Sequence, residues 1–224
     1  MDGALTASAR AFTRHDEGVR HADVGTPVDR LLRGSPAVNI GGVTASPVLY
    51  LTVGLPGSGK TTWARQIAAE RGILRLTPDE WMAPLFGDSD ADGRRDILEG
   101  RMIWVAHEVL QSGSSVVLDF GCWSPDERYA IRAMAESTGA RFILQHLFID
   151  ERERRARATL RWQTAPETTF RLTDSDHDQF LALYLPPSTD ELSNAPIPVA
   201  PSGSETWFDW ASRRWPTPPR LDTR

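Results

Sequence analysis

The sequence predicts an α/β fold with a mostly parallel sheet and helices on both of its faces. Between residues 46 and 192, short runs of apolar and β-branched residues alternate with helical patterns, and three of the predicted helices are followed by glycine. Such alternation is typical of a parallel sheet with right-handed crossover connections. The predicted core strands are residues 48–53, 73–76, 115–120 and 141–149.

The first strand leads into a glycine-rich loop whose spacing predicts a phosphate-binding site. Gly54, Gly59, Lys60 and Thr61 fit the P-loop pattern, and a helical pattern then extends to Arg71. Glycines let phosphate oxygens approach the backbone, whose N–H groups form an anion nest at the helix N-terminus. Lys60, expected to face solvent without ligand, can reach the β- and γ-phosphates, and the Thr61 hydroxyl can ligate Mg²⁺. The residues expected to bind the nucleotide are Gly54, Pro56, Gly57, Ser58, Gly59, Lys60, Thr61 and Thr62.

Two similar segments predict the starts of further helices. Thr77-Pro78-Asp79-Glu80 and Ser124-Pro125-Asp126-Glu127 each offer an N-cap residue, a proline at N1 and a glutamate at N3 that closes a capping box. The other predicted elements are loops at 84–93 and 162–172 and helices at about 94–112, 125–138, 151–161 and 173–183.

Two aspartates follow predicted strands at the edge of the sheet where such folds bind ligands. Asp119 ends an apolar strand, so we expect it to hold Mg²⁺ through water or to orient the attacking group. The alternative for Asp119 is a strand-end acid that caps the next loop. Asp79 lies in the first turn of a helix, where the macrodipole alone favours acids. Our preferred hypothesis is that Asp79 orients an acceptor hydroxyl or accepts its proton.

Residues 151–161 contain five arginines on a helical stretch just after the last core strand. Arg154, Arg157 and Arg161 recur at helical spacing and are expected to share one side of the helix. Their planar guanidinium groups match phosphate oxygens, which favours a lid that closes over the nucleotide. We expect Arg157 and Arg161 to point inward. The alternative is a solvated face whose charges are balanced by interspersed glutamates.

The bulk composition excludes several classes of protein. The chain has 25 Lys and Arg residues against 30 Asp and Glu, and its net charge of −5 disfavours a broad nucleic-acid or anionic-membrane surface. Its single cysteine, Cys122, excludes an internal disulfide framework and a cysteine zinc cluster, and is expected to line a pocket rather than act as a nucleophile. No run of 18 apolar residues and no secretory pattern occur, so we expect a cytoplasmic protein without a membrane span.

The two ends of the chain are expected to be peripheral to a domain at residues 46–192. Residues 1–45 lack a sustained hydrophobic period and are predicted to be a disordered leader. Residues 193–224 are a proline- and tryptophan-rich extension whose composition argues against a core element, although its aromatic residues suggest contact with the domain surface. His177, which lies between two aspartates, is expected on the surface.

Four segments together resemble the bacterial AAA-type P-loop kinase family, which is similar to zeta toxins, chloramphenicol phosphotransferase and the kinase domain of polynucleotide kinase. They are Gly54–Thr62, Leu76–Trp81, Val117–Gly121 and the arginine-rich helix, and the resemblance covers about residues 47–192. It implies a three-layer P-loop NTPase fold of the small-kinase type with an arginine-rich lid helix. It also implies binding of ATP with Mg²⁺ and transfer of the γ-phosphoryl group to a hydroxyl.

The resemblance extends to individual positions. We expect a phosphotransferase in which Asp79 serves the acceptor hydroxyl and Thr61 and Asp119 serve the metal. The residues expected to act in catalysis are Lys60, Asp79, Asp119, Arg157 and Arg161. Zeta-type and polynucleotide kinases usually have an arginine shortly after the acceptor-side acid, and residues 80–83 contain none. An anionic acceptor such as a nucleotide or an RNA end is therefore disfavoured, and a small-molecule acceptor is expected. The alternatives are a nucleotide-binding regulatory module with little turnover and a nucleotide-sugar or polynucleotide 5′-kinase.

Overall fold

The computed structural model describes residues 46–218, so the predicted leader at residues 1–45 lies outside the described part of the chain. The strands are β1 (Val48–Val53), β2 (Leu74–Leu76), β3 (Val116–Leu118) and β4 (Arg141–His146). The helices are α1 (Lys60–Arg71), α2 (Pro78–Phe86), α3 (Arg94–Gln111), α4 (Pro125–Ser137), α5 (Glu151–Thr164), α6 (Asp174–Leu183), α7 (Thr189–Leu192) and α8 (Trp207–Arg214). A 3₁₀ turn at Pro166–Thr168 follows α5. None of the helices within residues 46–218 has the length and apolarity needed to cross a membrane.

The four strands form one parallel sheet in the order β2-β3-β1-β4. In its register Leu49 of β1 is paired with Val116 of β3 on one side and Phe142 of β4 on the other. Because the strands are parallel, their carboxyl ends lie along one edge of the sheet. The P-loop follows β1, Asp79 follows β2 and Asp119 follows β3, so all three lie at this edge. The predicted α/β fold with a parallel sheet is confirmed.

Alternate side chains of β1 point to opposite faces of the sheet, which produces three layers. Leu49, Leu51 and Val53 are buried in the larger apolar cluster, to which α3, α4 and α8 contribute. Val48 and Tyr50 lie in the smaller cluster, with side chains of α1 packed against it. A strand that is apolar on both faces is therefore covered on both, and full burial of one such side chain contributes roughly 1.5–3 kcal/mol.

Only one of the two predicted capping boxes is present. Ser124 and Glu127 form the box at the start of α4. Thr77 is the N-cap residue of α2, but its side chain makes no cap hydrogen bond. Its hydroxyl instead donates to Asp119 Oδ2 at 3.2 Å and accepts from Arg75. Charged partners thus take the group that would have capped the helix.

Glu80, the glutamate of the predicted capping box at Thr77, also forms ion pairs instead of a cap hydrogen bond. Glu80 contacts Arg75 Nη2 at 2.5 Å and Arg65 Nη2 at 2.6 Å. Burial alone would raise the pKa of Glu80, but the hydrogen bonds from both arginines lower it below its ordinary value. The predicted box is therefore wrong because ionic contacts between elements outweigh a local backbone contact, which sequence spacing cannot reveal.

Several predicted boundaries also differ from the structure by a few residues. The third and fourth strands end earlier than predicted, at Leu118 and His146, and the arginine-rich helix continues to Thr164. α2 extends through Pro84 to Phe86, so the following loop is shorter than predicted. These shifts leave the order of the elements unchanged.

The C-terminal segment contributes to the core, so the prediction that it contains no core element was wrong. α8 packs against α4, and Trp207, Ala211 and Trp215 enter the larger apolar cluster. Their spacing of four residues matches one face of a helix. Trp215 is only 1% exposed. The overall composition of residues 193–224 is rich in proline, so it did not reveal this short amphipathic period.

A buried ion pair fastens the chain that leads to α8. Arg128 on α4 contacts Glu191 at 2.6 Å, and its Nη1 donates to the carbonyl oxygens of Cys122 at 2.9 Å and Leu185 at 3.0 Å. Both charged side chains are buried. Removing one partner would leave the other charge buried and unpaired, which is strongly destabilising. This pair therefore joins the segment after α6 to the loop that follows Asp119.

Replacing Trp215 with alanine is expected to lower the free energy of unfolding by about 3–5 kcal/mol, because it removes a fully buried aromatic side chain and leaves a cavity. Val199→Ala is the matched control from the same segment, since Val199 is 92% exposed and its loss should cost less than about 0.5 kcal/mol. Chemical denaturation of both variants measures the difference. Equal stabilities would mean that this segment contributes nothing to the core.

Candidate active site

The P-loop follows β1, and close backbone contacts require two of its glycines. Gly54 has φ of +152°, and a Cβ there would collide with the carbonyl oxygen of Leu147. Gly57 has φ of +88°, and a Cβ there would collide with the carbonyl oxygen of Arg154 on α5. The arginine-rich helix therefore lies directly against the phosphate loop, and its approach depends on the absence of a side chain at Gly57.

The side chains of the loop leave polar groups available to a ligand. The Ser58 hydroxyl is buried and has no hydrogen-bond partner within the described residues. Such a group costs roughly 1–3 kcal/mol, which a ligand oxygen could recover. Lys60 does not face solvent as expected, because it is partly buried and its Nζ donates to the Leu55 carbonyl at 3.1 Å. Thr61 is partly buried and Thr62 is exposed.

Charged groups of both signs converge on Lys60. Burial lowers the pKa of Lys60, the nearby carboxylates of Asp119 and Asp79 raise it, and the guanidinium groups of Arg161 and Arg95 lower it, with a net decrease. The two aspartates from different strand ends and one arginine of α5 therefore lie close enough to Lys60 to act on its charge. The structure brings together these predicted residues and adds Arg95, which sequence reasoning missed.

Asp119 is a buried acid held by three side chains from β1, β2 and the residue after β2. Its Oδ1 accepts from Thr52 at 3.2 Å, and its Oδ2 accepts from Thr77 at 3.2 Å and from Arg75 at 3.3 Å. All of these donors are side chains, so the alternative in which Asp119 caps the next loop has no support among the described hydrogen bonds. Its carboxylate is fixed at the end of β3, beside the P-loop.

Asp79 is held by an arginine that follows it sixteen residues later. Nη1 and Nη2 of Arg95, on α3, both donate to Asp79 Oδ1 at 3.0 Å. Burial opposes the charged form of Arg95, but Asp79 and Glu99 raise its pKa above the ordinary value. No local sequence signal links position 95 to position 79, because the contact depends on how α3 packs beside α2. A cation therefore accompanies this acid although residues 80–83 contain none.

The first arginine of the predicted inward face is the most deeply buried of the three. Arg154 donates to the Pro56 carbonyl at 3.1 Å, contacts His177 Nδ1 at 3.0 Å and pairs with Glu151 at 2.8 Å. His177 is buried, so the prediction that it lies on the surface was wrong. Burial, together with Arg154, lowers the pKa of His177. Arg154 thus ties α5 to the P-loop backbone and to α6.

The two arginines expected to point inward differ in position. Arg161 donates to the Thr168 carbonyl at 2.8 Å and its charge acts on Lys60. Arg157 has a side chain that is 51% exposed, and it pairs with Glu153 at 2.5 Å along the same helix. Its charge is not among those that act most on Lys60. Arg157 therefore lies on a solvated face, whereas the charge of Arg161 acts on Lys60.

The loop after Asp119 forms a wall beside the P-loop. The Trp123 indole donates to the Gly54 carbonyl at 3.4 Å, and its ring lies 4.9 Å from that of Phe180. Cys122 is buried, and burial raises the pKa of its thiol well above the ordinary value. A thiol with a raised pKa is a poor nucleophile.

The donor set fits Mg²⁺ held together with a nucleotide. Thr61 and Asp119 offer a hydroxyl and a carboxylate, which are hard oxygen ligands, and Mg²⁺ in proteins usually keeps several waters and binds phosphates. No group of three or more His, Cys, Asp or Glu residues in the described part of the chain could hold a metal ion by itself. Both Asp119 oxygens already accept hydrogen bonds, which favours contact with the ion through water.

Comparisons with known proteins identify the family and the fold of the chain. A family model described as an AAA domain matches residues 49–187. The chain belongs to this AAA domain family. The matched range includes the P-loop, Asp79, Asp119 and the arginine-rich helix. The resemblance to P-loop kinases inferred from the motifs is therefore confirmed at the level of the family and its P-loop NTPase fold.

Two solved structures share the fold of this AAA domain protein. The Pnkp1/Rnl/Hen1 RNA repair complex matches with a TM-score of 0.54 and 17% identity, over 73% of this chain and 52% of that chain. Kti12 from Chaetomium thermophilum, solved with ADP-AlF3, matches with a TM-score of 0.50 and 19% identity, over 63% of this chain and 82% of that chain. At these identities the likeness shows the fold alone.

Proposed function

We propose that the protein is an ATP-dependent phosphotransferase that transfers the γ-phosphoryl group of ATP to a hydroxyl of a small molecule. The observation that carries the proposal is the hydrogen bonding of the two carboxylate oxygens of Asp79. Nη1 and Nη2 of Arg95 both donate to Asp79 Oδ1, and no group within residues 46–218 donates to Asp79 Oδ2. The side chain is 35% exposed. An acid beside the P-loop lysine with one oxygen available to solvent suits an acceptor hydroxyl, which a purely nucleotide-binding site does not need.

The nucleotide side of the site is assigned to the P-loop and its neighbours. The loop N–H groups and Lys60 hold the triphosphate, and the unpartnered Ser58 hydroxyl offers a further hydrogen bond. Thr61 and Asp119 would hold Mg²⁺, which neutralises charge on the phosphate oxygens when it is bound. Arg161 supplies positive charge from α5 at the end of the triphosphate. Together these groups position the γ-phosphoryl group and stabilise its charge.

The transfer step follows from this arrangement. The acceptor oxygen forms a bond to the γ-phosphorus while the bond between that phosphorus and the bridging oxygen breaks. The electron pair of the broken bond remains on the bridging oxygen, which becomes a terminal β-phosphate oxygen of ADP. The acceptor hydroxyl proton passes to Asp79 Oδ2 and then to solvent. Lys60 stabilises the charge that develops on the leaving oxygen.

A nucleotide-binding module with little turnover is the second candidate, and one observation favours it. The ion pair between Arg95 and Asp79 restrains the acid that would serve the acceptor. An enzyme and a binding module would differ in what Asp79 contributes, because only the enzyme loses activity when the free oxygen of this side chain is removed. Asp79→Asn therefore separates the two candidates.

The acceptor is assigned to the class of hydroxylated small molecules. The expectation against a nucleic-acid or nucleotide acceptor rested partly on the absence of arginine at residues 80–83. Arg95 supplies a guanidinium at this place from α3, so that part of the expectation no longer holds. Glu99 also pairs with Arg95, at 2.9 Å, so its charge is already shared by two carboxylates. This balance favours an acceptor without a strong negative charge.

The proposal is tested by measuring ADP release from ATP and Mg²⁺ in the presence of a panel of sugars, polyols, hydroxylated antibiotics, nucleosides and 5′-hydroxyl oligonucleotides. We expect at least one neutral hydroxyl compound to stimulate ADP release and to appear as its phosphate ester by mass spectrometry. ATP binding without stimulation by any compound would favour the binding module. Stimulation by oligonucleotides alone would overturn the small-molecule assignment.

Replacing Arg161 with alanine is expected to lower kcat on the order of 10²-fold while ATP affinity changes much less, because charge at the transferred group is greatest in the transition state. Arg157→Ala is the matched control from the same helix. Its exposed pair with Glu153 should be worth so little that kcat falls by less than about 5-fold. Steady-state kinetics of both variants would contradict the assignment if Arg157→Ala had the larger effect.

A further inference from the structure

A row of hydrogen bonds connects the acceptor-side acid to the buried C-terminal tryptophan. Arg95 Nη1 and Nη2 each donate to Asp79 Oδ1 at 3.0 Å, and Arg95 Nε donates to Glu99 Oε1 at 2.9 Å. Trp215 Nε1 then donates to Glu99 Oε2 at 3.3 Å. The four side chains therefore form one continuous connection from the mouth of the site to the core, and we call it the Asp79–Trp215 chain.

The middle of the Asp79–Trp215 chain is held from both sides. Glu99 is buried on α3, and burial raises its pKa, while Arg95 and the Trp215 indole N–H oppose this rise. One carboxylate oxygen of Glu99 binds Arg95 and the other binds Trp215. A buried carboxylate that lost either donor would carry an unsatisfied oxygen, so its position depends on both.

The orientation of Arg95 follows from Glu99. With Nε bound to Glu99 and Nη1 also donating to the Ser89 carbonyl at 3.1 Å, the plane of the guanidinium is fixed at both ends. A planar fork in a fixed orientation then presents both of its outer nitrogens to one oxygen of Asp79. This geometry leaves Asp79 Oδ2 available, which is the feature on which the acceptor role depends.

The segment that carries Trp215 is itself anchored to α3 and α4. Arg214 pairs with Asp96 and with Glu127, both at 2.7 Å, and the Thr217 hydroxyl donates to the Ile97 carbonyl at 2.6 Å. Trp215 is fully buried between these contacts. Two of these anchors, Asp96 and Ile97, follow Arg95 directly on α3, so the segment supports the part of α3 that carries Arg95 and Glu99.

From these contacts we propose that Arg95 is a positioning residue for the acceptor-side acid, and that Trp215 keeps Arg95 in place through Glu99. The inference rests on the proposed function, because the orientation of Asp79 matters for an acceptor hydroxyl. Trp215 lies beyond residues 49–187, the range matched by the AAA domain. A segment outside the family domain therefore determines the geometry on the acceptor side of the site.

The physical connection is tested first in the full-length protein without ligand, by the indole N–H resonances of ¹⁵N-labelled tryptophan. Arg95→Gln is expected to shift the Trp215 resonance through Glu99 and to leave the Trp210 resonance in place. Trp210 is the matched control, since its ring lies 6.0 Å from that of Trp215. Its indole has no hydrogen bond to a member of the Asp79–Trp215 chain among the described residues. Trp215→Phe and Trp210→Phe assign the two signals. An unchanged Trp215 resonance overturns the connection.

The functional consequence is tested by kinetics with ATP and the panel compound that the wild-type protein phosphorylates fastest. Trp215→Phe keeps the aromatic ring and removes the indole donor, so kcat should fall about 2- to 10-fold with little change in the KM for ATP. Arg95→Gln should lower kcat by up to roughly 10²-fold, because the acid is misplaced. Arg95→Lys should recover only part of this loss, since it restores the charge without the fork.

A double variant decides whether the residues act in one chain. If Trp215 acts through Arg95, adding Trp215→Phe to Arg95→Gln should lower kcat little further, whereas Trp210→Phe should leave kcat of either background unchanged. If the decrease in kcat of the double variant equalled the product of the decreases in the two single variants, the proposal would be overturned. If no panel compound is phosphorylated by the wild-type protein, the proposed function fails, and the resonance experiment still accepts or rejects the chain.

Discussion

Replacing Lys60 with alanine is expected to abolish measurable ATP turnover and to weaken ATP binding by at least about 10²-fold, with little change in the free energy of unfolding. The side chain makes one hydrogen bond, to the Leu55 carbonyl, and burial lowers its pKa. Its charged form is therefore poorly compensated until an anion arrives. A triphosphate placed against Lys60 would reverse this balance, and the ammonium would stabilise the charge on the leaving oxygen.

Lys60 can also be examined without substitution, because it is the only lysine in the sequence. An amine-reactive acylating reagent can modify only this side chain and the N-terminal amine. We expect ATP with Mg²⁺ to protect Lys60, as measured by mass spectrometry of the modified peptide, and to leave the N-terminal amine reactive as the internal control. Calorimetry that found unchanged ATP affinity in Lys60→Ala, together with unprotected Lys60, would refute the P-loop assignment.

The presence of only one lysine, at the P-loop position, is a further sequence signal for the role of Lys60. Among Lys and Arg, every other residue is arginine, whose planar fork suits the paired contacts seen at Arg75, Arg95 and Arg154. A flexible stem with a compact charge is retained only at position 60. A flexible side chain allows the Lys60 ammonium to leave the Leu55 carbonyl, to which it donates in this structure, and to reach the phosphates of a ligand.

Local sequence signals predicted the fold well because the strands and the P-loop are local features. β1 is apolar on both faces, and the glycine spacing after it allows one type of loop, so neither depends on distant partners. The capping box at Thr77 failed for the opposite reason, since Asp119, which follows β3, accepts from the Thr77 hydroxyl and Arg75 on β2 donates to it. Core residues in the proline-rich tail were missed because three buried side chains carry little weight in a composition.

The same difference between local features and distant contacts explains which parts of the candidate site could be expected from the sequence. Asp79 and Asp119 were correctly expected at one edge of the sheet, because a parallel sheet places the carboxyl ends of its strands there. Arg95 could not be found, because its contact with Asp79 depends on the angle between α2 and α3 rather than on spacing. Arg157 and Arg161 share a helical period, and only the tertiary structure shows that the charge of Arg161 acts on Lys60 while Arg157 pairs with Glu153.

The two acids are expected to fail in different ways when each is replaced by asparagine. Asp119→Asn should weaken ATP binding in the presence of Mg²⁺ and lower every activity, including slow hydrolysis to water. The substitution removes the carboxylate charge and places an amide against Thr77 or Thr52, whose hydroxyls now donate to it. Some loss of stability should accompany it, because Arg75 also loses a charged partner. Thermal melting must therefore be measured beside the binding constant.

Asp79→Asn should instead leave binding of ATP with Mg²⁺ nearly unchanged and lower transfer to the acceptor by roughly 10²–10⁴-fold, the range for a general base. The asparagine carbonyl can still accept both bonds from Arg95, so the position of the side chain is retained. Its amide nitrogen takes the place of Oδ2 and cannot accept a proton. The variant thus removes the proposed chemistry and keeps the contact, which makes it a cleaner test than alanine.

Calorimetry for ATP with Mg²⁺ and single-turnover transfer to the fastest panel compound distinguish the two acids, with Asp88→Asn as an exposed control. If Asp79→Asn lost nucleotide affinity while Asp119→Asn kept it, the roles would be reversed. If Asp79→Asn lowered only the melting temperature, Asp79 would be a helix-start acid. The acceptor would then have no proton acceptor in this site, and the binding module would be the better account of the protein, because Lys60, Thr61 and Asp119 require only a nucleotide.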